Sequence, residues 1–211
     1  MELAQKHVVV TGGAGGLGGA VVARFRAAGA TVHVPLEGEV DLTDEEQVVD
    51  YYAKLPAAPW ASVHLVGGFL WKPFAETTRV DLTKQLELNV TTLFLCAREA
   101  AKRMGSAGGR LVNVSARTGL YPAKGMVAYA AAKAAVAAIT KGLADELADQ
   151  KILVNAIAPS IIDTPANRTS IPGADFSKWP KPAELAEAIY YLASPSNTVT
   201  SGEILPVYGR W

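Results

Sequence analysis

Cysteine is almost missing from the sequence: Cys96 is the only one in 211 residues. A single cysteine cannot form a disulfide within the chain, and it cannot supply a cluster of thiolate metal ligands. Histidine is nearly as scarce. The 3 histidines, His7, His33 and His64, are far apart, and each lies in or beside an apolar run. We therefore expect strand histidines rather than metal ligands, and we predict no metal site.

An excess of charge of one sign is also missing, since 20 lysine and arginine residues balance 20 aspartate and glutamate residues. The sequence shows no basic stripe that would neutralise a phosphate backbone, so we expect no nucleic-acid partner. Long uninterrupted apolar runs are missing as well. The alanine-rich stretch at residues 128–148 contains Lys133, Lys141, Asp145 and Glu146, which predicts a packed helix rather than a membrane span.

The remaining composition is that of a globular protein, with 50% apolar and 19% charged residues. A chain of 211 residues fits one α/β domain. Residues 1–6 lead almost directly into an apolar run. We therefore expect no signal peptide and a cytoplasmic location.

Short β-branched runs alternate with longer helical patterns along the chain, which predicts a parallel sheet covered by helices. Strands are predicted at residues 7–10, 31–34, 62–66, 110–114, 152–156 and 203–207. Helices are predicted at residues 17–28, 82–104, 127–148 and 182–192, and another starts at Thr43 with a capping-box pattern to Glu46. Because parallel crossovers are right-handed, this order builds a doubly wound sheet in a single Rossmann-type domain over residues 1–211.

The first predicted strand ends in a glycine-rich turn with the sequence TGGAGGLG at residues 11–18. The run contains both G-x-G-x-x-G and T-G-x-x-x-G-x-G. Because these positions carry no side chains, the backbone can approach a pyrophosphate closely, and the next helix begins with its N–H groups facing that anion. Between the first strand and the first helix of an α/β pattern, this turn predicts dinucleotide binding.

Carboxylates follow the second predicted strand and bear on the choice between NAD and NADP. An acidic residue about 20 positions after the glycine turn would bind a ribose 2′-hydroxyl, and Glu37, Glu39 and Asp41 all lie near that distance. The other interpretation is that they form a solvated loop. No lysine or arginine lies within the turn or directly after the second strand to hold a 2′-phosphate. This pattern favours NAD over NADP.

Tyr129 and Lys133 lie one turn apart in a predicted helix, so their side chains share a face. The ordinary pKa of a phenol, about 10, is too high for efficient proton transfer at neutral pH, and a fixed ammonium nearby lowers it. Tyr129 could then exchange the proton that accompanies hydride transfer, while Lys133 holds the nicotinamide ribose. The pair follows the glycine turn and a strand that ends in Asn113-Val114-Ser115, and this order predicts an oxidoreductase.

These motifs together resemble the short-chain dehydrogenase/reductase family, in order over nearly the whole chain. The matching positions are the glycine turn, Asn89-Val90, Ser115, the Tyr129–Lys133 pair and the sequence NAIAP at residues 155–159. The resemblance implies a catalytic set of Asn89, Ser115, Tyr129 and Lys133. In that set the serine orients the substrate oxygen, and the asparagine supports a water-linked proton path.

The same resemblance implies how a nicotinamide dinucleotide, NAD or NADP, would lie in the protein. It places Asp41 and Leu42 beside the adenine and residues 159–164 near the nicotinamide. It also implies a homodimer or homotetramer built from the predicted helices at residues 82–104 and 127–148. The predicted cofactor-binding residues are Gly12, Gly16, Leu17, Gly18, Asp41, Leu42, Gly67, Gly68, Tyr129, Lys133, Pro159, Ile162 and Thr164.

The chain departs from the family pattern at several positions. The motif N-x-A-G appears as VGGF at residues 66–69, without its asparagine. Counted back from Tyr129, the family serine falls on Ala116 rather than Ser115. Either a loop insertion restores Ser115, or the site lacks a serine hydroxyl. A helix and a strand of the family are missing before Asp41, which leaves the adenine side more open.

These departures give the chain a local resemblance to dihydropteridine reductase. The glycine pair followed by Phe69, the alanine at position 116 and the stretch at residues 163–179 carry it. Residues 160–180 include Phe176 and Trp179, and we predict a small lid over the substrate there. The alternative for this region is a packed surface loop.

We therefore predict an NAD(P)-dependent oxidoreductase of the short-chain type, which transfers a hydride to or from a small carbonyl or imine substrate. Within the enzyme class, the alternative is a quinonoid dihydropteridine reductase. The alternative outside it is a non-catalytic dinucleotide-binding redox sensor. Tyr129 and Lys133 argue against the sensor, because binding alone does not need an acid–base pair.

Overall fold

Strands and helices alternate through residues 2–210, the part of the chain that the computed structural model describes. The strands are β1 (His7–Thr11), β2 (Thr31–His33), β3 (Ala61–His64), β4 (Gly109–Val114), β5 (Ile152–Pro159) and β6 (Ile204–Val207). The helices are α1 (Gly18–Ala27), α2 (Glu45–Ala53), α3 (Arg79–Leu86), α4 (Thr92–Met104), α5 (Arg117–Leu120), α6 (Val127–Glu146), α7 (Pro165–Ser170) and α8 (Pro182–Ala193).

Within the described residues the strands form one six-stranded parallel sheet in the order β2-β1-β3-β4-β5-β6. The chain leaves β1 toward β2 and then returns to the other side of β1 as β3. Doubly wound sheets bind ligands at such a switch point, beyond the carboxyl ends of the strands. The predicted fold class, a doubly wound parallel sheet of the Rossmann type, is confirmed.

Helices cover both faces of the sheet and make two layers of core. On one face Val8 and Val10 pack with Phe25 of α1 and with α8. On the other face Val9 packs with Leu95 and other residues of α2 and α4. The three valines of β1 are completely buried. A strand that is buried on both faces has no polar alternation, which is why β1 is an unbroken apolar run in the sequence.

Helix α2 begins one residue later than the sequence pattern predicts. Asp44 caps it, because its carboxylate accepts hydrogen bonds from the backbone N–H groups of Glu46 and Gln47. Thr43 instead donates its hydroxyl to Asp41. The predicted capping box from Thr43 to Glu46 is therefore wrong. Aspartate and threonine both cap helices well, so two adjacent capping residues leave the start ambiguous in the sequence.

The predicted helix at residues 82–104 is longer and less regular in the structure. It begins at the N-cap Thr78, whose side chain forms a capping box with Asp81. Between α3 and α4 the segment Glu87–Thr91 is π-helical and contains Asn89. Such insertions occur frequently at functional sites, and apolar periodicity does not reveal them.

No helix or strand forms between β2 and α2 in the described structure, as expected from the missing strand and helix. β2 is therefore the outer strand of the sheet beside β1. Most residues between Val34 and Asp44 are exposed. The adenine side of the predicted cofactor site thus rests on a loop.

Helix α6 is the one helix of the described chain that is long and apolar enough to cross a membrane by length and composition. In the structure it contacts β4, β5, α3 and α5. Lys133, Val136 and Thr140 are buried in these contacts. This packing agrees with the prediction of a packed helix.

Candidate active site

The glycine turn between β1 and α1 leaves no room for side chains. Gly12 has a φ of +69°, and a Cβ atom there would lie 3.0 Å from the backbone nitrogen of Val66. A Cβ atom on Gly18, the first residue of α1, would overlap the carbonyl oxygen of Gly12. The N–H of Gly15 donates to that same carbonyl. The turn is thus a backbone cradle at a helix N-terminus, the geometry that binds phosphate groups.

The start of the predicted lid lies against this turn. A Cβ atom on Gly16 would lie 3.1 Å from the methyl group of Thr164. Thr164 caps α7 and accepts a hydrogen bond from the N–H of Asn167. Its own N–H donates to the carbonyl of Ile162, and Pro159 ends β5 just before. The structure therefore brings Gly16 and Thr164, both predicted to contact the cofactor, into direct proximity.

Tyr129 and Lys133 lie on one side of α6, as the sequence predicts. The Nζ atom of Lys133 is 6.0 Å from the centroid of the Tyr129 ring, and it donates to the carbonyl of Val114 at 2.9 Å. Burial lowers the pKa of Lys133 to about 8. Burial also raises the pKa of Tyr129 to about 12. The shift of the phenol pKa is opposite to the lowering predicted from the sequence, because desolvation of Tyr129 is its main cause here.

Asn89, in the π-helical segment, holds the glycine pair that follows β3. Its Oδ1 atom accepts from the N–H of Gly68 at 3.2 Å, and its Nδ2 atom donates to the carbonyls of Gly68 and Gln85. A Cβ atom on Gly67 would lie 2.6 Å from Asn89 Oδ1 and 3.2 Å from Lys133 Nζ. Gly67, Asn89 and Lys133 therefore meet at one point, and only glycine fits at position 67 without displacing its neighbours.

Ser115 follows β4 and is completely enclosed, with 1% of its surface exposed. Its hydroxyl donates to the backbone carbonyl of Lys133 at 2.8 Å. Ala116 is the next residue, also buried, and begins the turn into α5. The hydroxyl of Ser115 is thus engaged with the backbone of α6.

Phe69 lies against the phenol of Tyr129, and Trp71 lies two residues further along the same segment. The rings of Phe69 and Tyr129 meet edge to face, with centroids 5.1 Å apart. Trp71 lies against Gly125, where a Cβ atom would meet the indole Cε2 at 2.7 Å. Phe69 and Trp71 are nonetheless 62% and 58% exposed. Trp71 belongs to none of the motifs predicted above, although the aromatic-rich stretch FLWKPF directly after a glycine pair is a signal for it.

The predicted lid region folds into α7 and a short turn at Phe176–Lys178. Arg168 makes an ion pair with Asp163, and its guanidinium lies 5.0 Å from the Phe176 ring centroid. The Phe176 and Trp179 rings are 4.9 Å apart. The region is therefore packed within itself, and its closure over a substrate stays a prediction.

Asp41 and Leu42, which are predicted to lie beside the adenine, are between β2 and α2. The carboxylate of Asp41 accepts from the N–H and hydroxyl of Thr43, while Leu42 is buried among residues of α2 and α4. Asp41 and Thr43 line a cavity of about 560 Å³ together with Arg79 and Lys84 of α3. The predicted preference for NAD rested on the lack of lysine and arginine in the glycine turn and directly after the second strand, whereas Arg79 and Lys84 come from α3.

Comparison with known proteins assigns the family. A family model described as Enoyl-(Acyl carrier protein) reductase matches residues 20–209. Cis-4-hydroxycyclohexanecarboxylate dehydrogenase from Sinomonas cyclohexanicum is 30% identical over 242 aligned residues, which cover 99% of this chain and 97% of that protein. The chain belongs to the short-chain dehydrogenase/reductase family. The alignment is longer than this chain of 211 residues, as a missing strand and helix would require.

Solved structures extend the comparison to the cofactor. The structure titled ElxO with NADP bound is 29% identical and has a TM-score of 0.90, with 97% of both chains covered. BdcA in complex with NADPH is 26% identical with a TM-score of 0.90, covering 100% of this chain and 96% of that one. The predicted enzyme class, an NAD(P)-dependent oxidoreductase, is confirmed. The preference for NAD is not supported, because these neighbours hold NADP or NADPH.

Proposed function

We propose that the protein moves a hydride between a nicotinamide dinucleotide and a small carbonyl or imine substrate, with Tyr129 as the acid–base group. The observation that carries this proposal is the position of Tyr129 beside the buried ammonium of Lys133. Both residues follow β4, at the same edge of the sheet as the glycine cradle after β1. The remaining roles follow from this arrangement.

The residues of the cradle fit a dinucleotide. Gly12 and Gly18 let the turn fold tightly on itself, since a Cβ atom there would meet the backbone of Val66 or of Gly12 and Gly13, and this tight turn lies at the N-terminus of α1, where N–H groups can face a pyrophosphate. When bound, the cofactor supplies or accepts the hydride. Gly12, Gly16, Leu17 and Gly18 would hold its pyrophosphate. Asp41 and Leu42 would lie at the adenine, and the ribose would meet Lys133. The nicotinamide half would lie near Gly67, Gly68, Pro159, Ile162 and Thr164.

Tyr129 donates its hydroxyl proton to the substrate oxygen or nitrogen during reduction, and it accepts that proton during oxidation. Lys133 stays protonated at neutral pH, since its pKa is about 8, and its charge favours the phenolate. Asn89, fixed by Gly68 and Gln85, supports the path by which Tyr129 regains its proton. Ser115 is predicted to orient the substrate. In the structure, however, its hydroxyl donates a hydrogen bond to the backbone carbonyl of Lys133. This geometry favours the alternative in which Ala116 occupies the serine position.

The substrate contacts exposed aromatic side chains, Phe69 beside Tyr129 and Trp71 two residues further on. Phe69 and Trp71 favour a substrate with a flat or ring-shaped apolar part, because aromatic faces stack on such groups. The relative from Sinomonas cyclohexanicum is named for a ring alcohol. Ring ketones and their alcohols are therefore the first substrates to try, and the quinonoid dihydropterin of the alternative hypothesis belongs in the same panel.

Assembly and location are further parts of this proposal. Apolar side chains are exposed on the helices predicted to form the subunit interface: Val80 and Leu86 on α3, Phe94 on α4 and Val127 on α6. These exposed apolar side chains support a homodimer or homotetramer. Light scattering coupled to size-exclusion chromatography would measure the mass of the assembly. We also propose a cytoplasmic location.

Fluorescence titration with NADH and NADPH tests the cofactor site. Binding of either nucleotide with a Kd below about 100 μM, followed by nucleotide-dependent turnover of one member of the panel, is the expected result. The control variant is Gly18→Val, whose side chain would push the backbone of Gly12 and Gly13 out of place and should abolish binding. Failure of the wild-type protein to bind either nucleotide would contradict the proposal.

A further inference from the structure

A row of buried polar side chains, joined by hydrogen bonds, runs along one face of the sheet from α2 to α6. Tyr52 of α2 bonds to Ser62 of β3 at 2.9 Å, and Ser62 bonds to His64 at 3.0 Å. His64 bonds to Asn113 of β4 at 2.8 Å, and Asn113 donates to Thr140 of α6 at 2.9 Å. None of the five side chains is more than 3% exposed. The row ends on the helix that carries Tyr129 and Lys133.

In every hydrogen bond of this row, the donor lies toward Tyr52 and the acceptor lies toward Thr140. Thr140 donates its hydroxyl to the carbonyl of Val136, so its oxygen accepts from the Asn113 amide. The Oδ1 atom of Asn113 can only accept, which places the proton of His64 on Nδ1. The free Nε2 atom then accepts from Ser62. Burial lowers the pKa of His64 to about 4, so this neutral tautomer is present at ordinary pH.

The strand end and the helix are joined by hydrogen bonds from consecutive residues of the chain. Asn113 donates to Thr140, the Val114 carbonyl accepts from Lys133 Nζ, and the Ser115 hydroxyl donates to the Lys133 carbonyl. Lys133 and Thr140 are two turns apart on one face of α6. Because the strand holds that face at both points, it sets the rotation and the height of the helix at Lys133.

We propose that Asn113 and Thr140, supported by His64, are positioning residues for Lys133 and Tyr129. Nothing in the reaction requires them to touch substrate or cofactor. They fix α6 on β4 so that the Lys133 ammonium stays beside Tyr129, and displacement of such a group by about 1 Å can cost a hundredfold in rate. The expected change in kcat rests on the proposed function. The expected change in the pKa of Lys133 does not, because it is measured without turnover.

Thr140→Val tests the proposal, because valine has the shape of threonine without its hydroxyl. It leaves the Asn113 amide without its acceptor. We expect kcat to fall about tenfold or more, with a smaller rise in the KM for nucleotide because Lys133 also meets the ribose. We also expect the pKa of Lys133, followed by NMR of 13C-labelled lysine, to rise from about 8 toward its ordinary 10.5 as the side chain becomes hydrated. Thr140→Ser restores the hydroxyl and should restore both quantities.

Tyr52→Phe is the matched control, since it removes a buried hydroxyl from the far end of the same row. Ser62 can still donate to His64, so thermal stability should fall while kcat and the pKa of Lys133 stay as in the wild type. The proposal is overturned if Thr140→Val behaves like Tyr52→Phe and loses only stability. A wild-type protein with no turnover would contradict the proposed function, and the Lys133 titration would still decide the positioning role.

Discussion

Lys133 and its neighbours Asn89 and Ser115 are buried and bonded to adjacent elements, whereas the segment between β2 and α2 is a mostly exposed loop. Asn89, Gly67 and the carbonyl of Val114 all lie within contact of the lysine or its neighbours. On the adenine side, Asp41 bonds only locally, to Thr43 and Gln47. The reactive end of the site, around Lys133, is therefore tightly packed, whereas the predicted adenine end consists of an exposed loop. Changes at the first should alter rate, and changes at the second should alter affinity.

Lys133→Met should have the largest effect, and it should change activity and stability in opposite directions. We expect kcat to fall by about 10²–10⁴-fold, because Tyr129 loses the ammonium that favours its phenolate. The free energy of unfolding at pH 7 should rise by on the order of 1–2 kcal/mol, because a lysine whose pKa is lowered by burial is disfavoured when charged. Steady-state kinetics and urea unfolding measure the two quantities. Equal losses of both would contradict the account.

The pH dependence of stability sharpens this test. The pKa of Lys133 is about 8 in the folded protein against an ordinary 10.5, so between these values the unfolded chain binds more protons. The contribution of Lys133 to the free energy of unfolding of the wild type should therefore rise as the pH increases from 8 toward 10.5. The stability advantage of Lys133→Met should shrink over the same range. An advantage that is constant with pH would show that the burial of charge is not its cause.

Gly67→Ala should have an intermediate effect at the reactive end. The new methyl group meets Asn89 Oδ1 and Lys133 Nζ, at 2.6 and 3.2 Å in the present geometry, so both must shift. We expect kcat to fall about tenfold, with a lower melting temperature. Gly142→Ala in α6 is the control, since a Cβ atom there has no neighbour within 4 Å. It should keep full activity and gain up to about 1 kcal/mol from helix propensity.

Asp41→Ala should have the smallest effect and act on affinity alone. It removes the acceptor for the N–H and hydroxyl of Thr43, which costs about 1 kcal/mol of local order. We expect the Kd for NADH or NADPH to rise about fivefold at unchanged kcat, by fluorescence titration and kinetics. Asp149→Ala removes an exposed charge before β5, at the opposite end of the strands, and should change neither. A large loss of kcat in Asp41→Ala would contradict the separation of the two ends.

Local motifs predict much of this protein because their geometry depends on neighbouring residues only. The glycine turn needs a strand before it and a helix after it, and the Tyr129–Lys133 pair needs only helical spacing. The strand pattern also predicts the parallel sheet. Those parts agree with the structure.

Features that depend on strand register or tertiary contact are absent from such patterns. His64 faces Asn113 only because β3 and β4 pair in that register. The sequence around His64 indicates a strand histidine and nothing more. Arg79 and Lys84 of α3 line the cavity beside Asp41, and the residues of the glycine turn and second strand give no sign of them. The capping residue Asp44 and the π-helical segment around Asn89 depend on details of backbone geometry that apolar periodicity does not carry.

The central claim is that Tyr129 transfers the proton that accompanies hydride transfer, and Tyr129→Phe tests it most directly. Phenylalanine keeps the ring that packs against Phe69 and removes only the hydroxyl. The measurement is kcat on the best substrate of the panel, beside the Kd for NADH and NADPH of the same preparation. The account predicts that kcat falls by at least about 100-fold while the Kd changes less than about twofold. Turnover that survives the loss of the hydroxyl would contradict it.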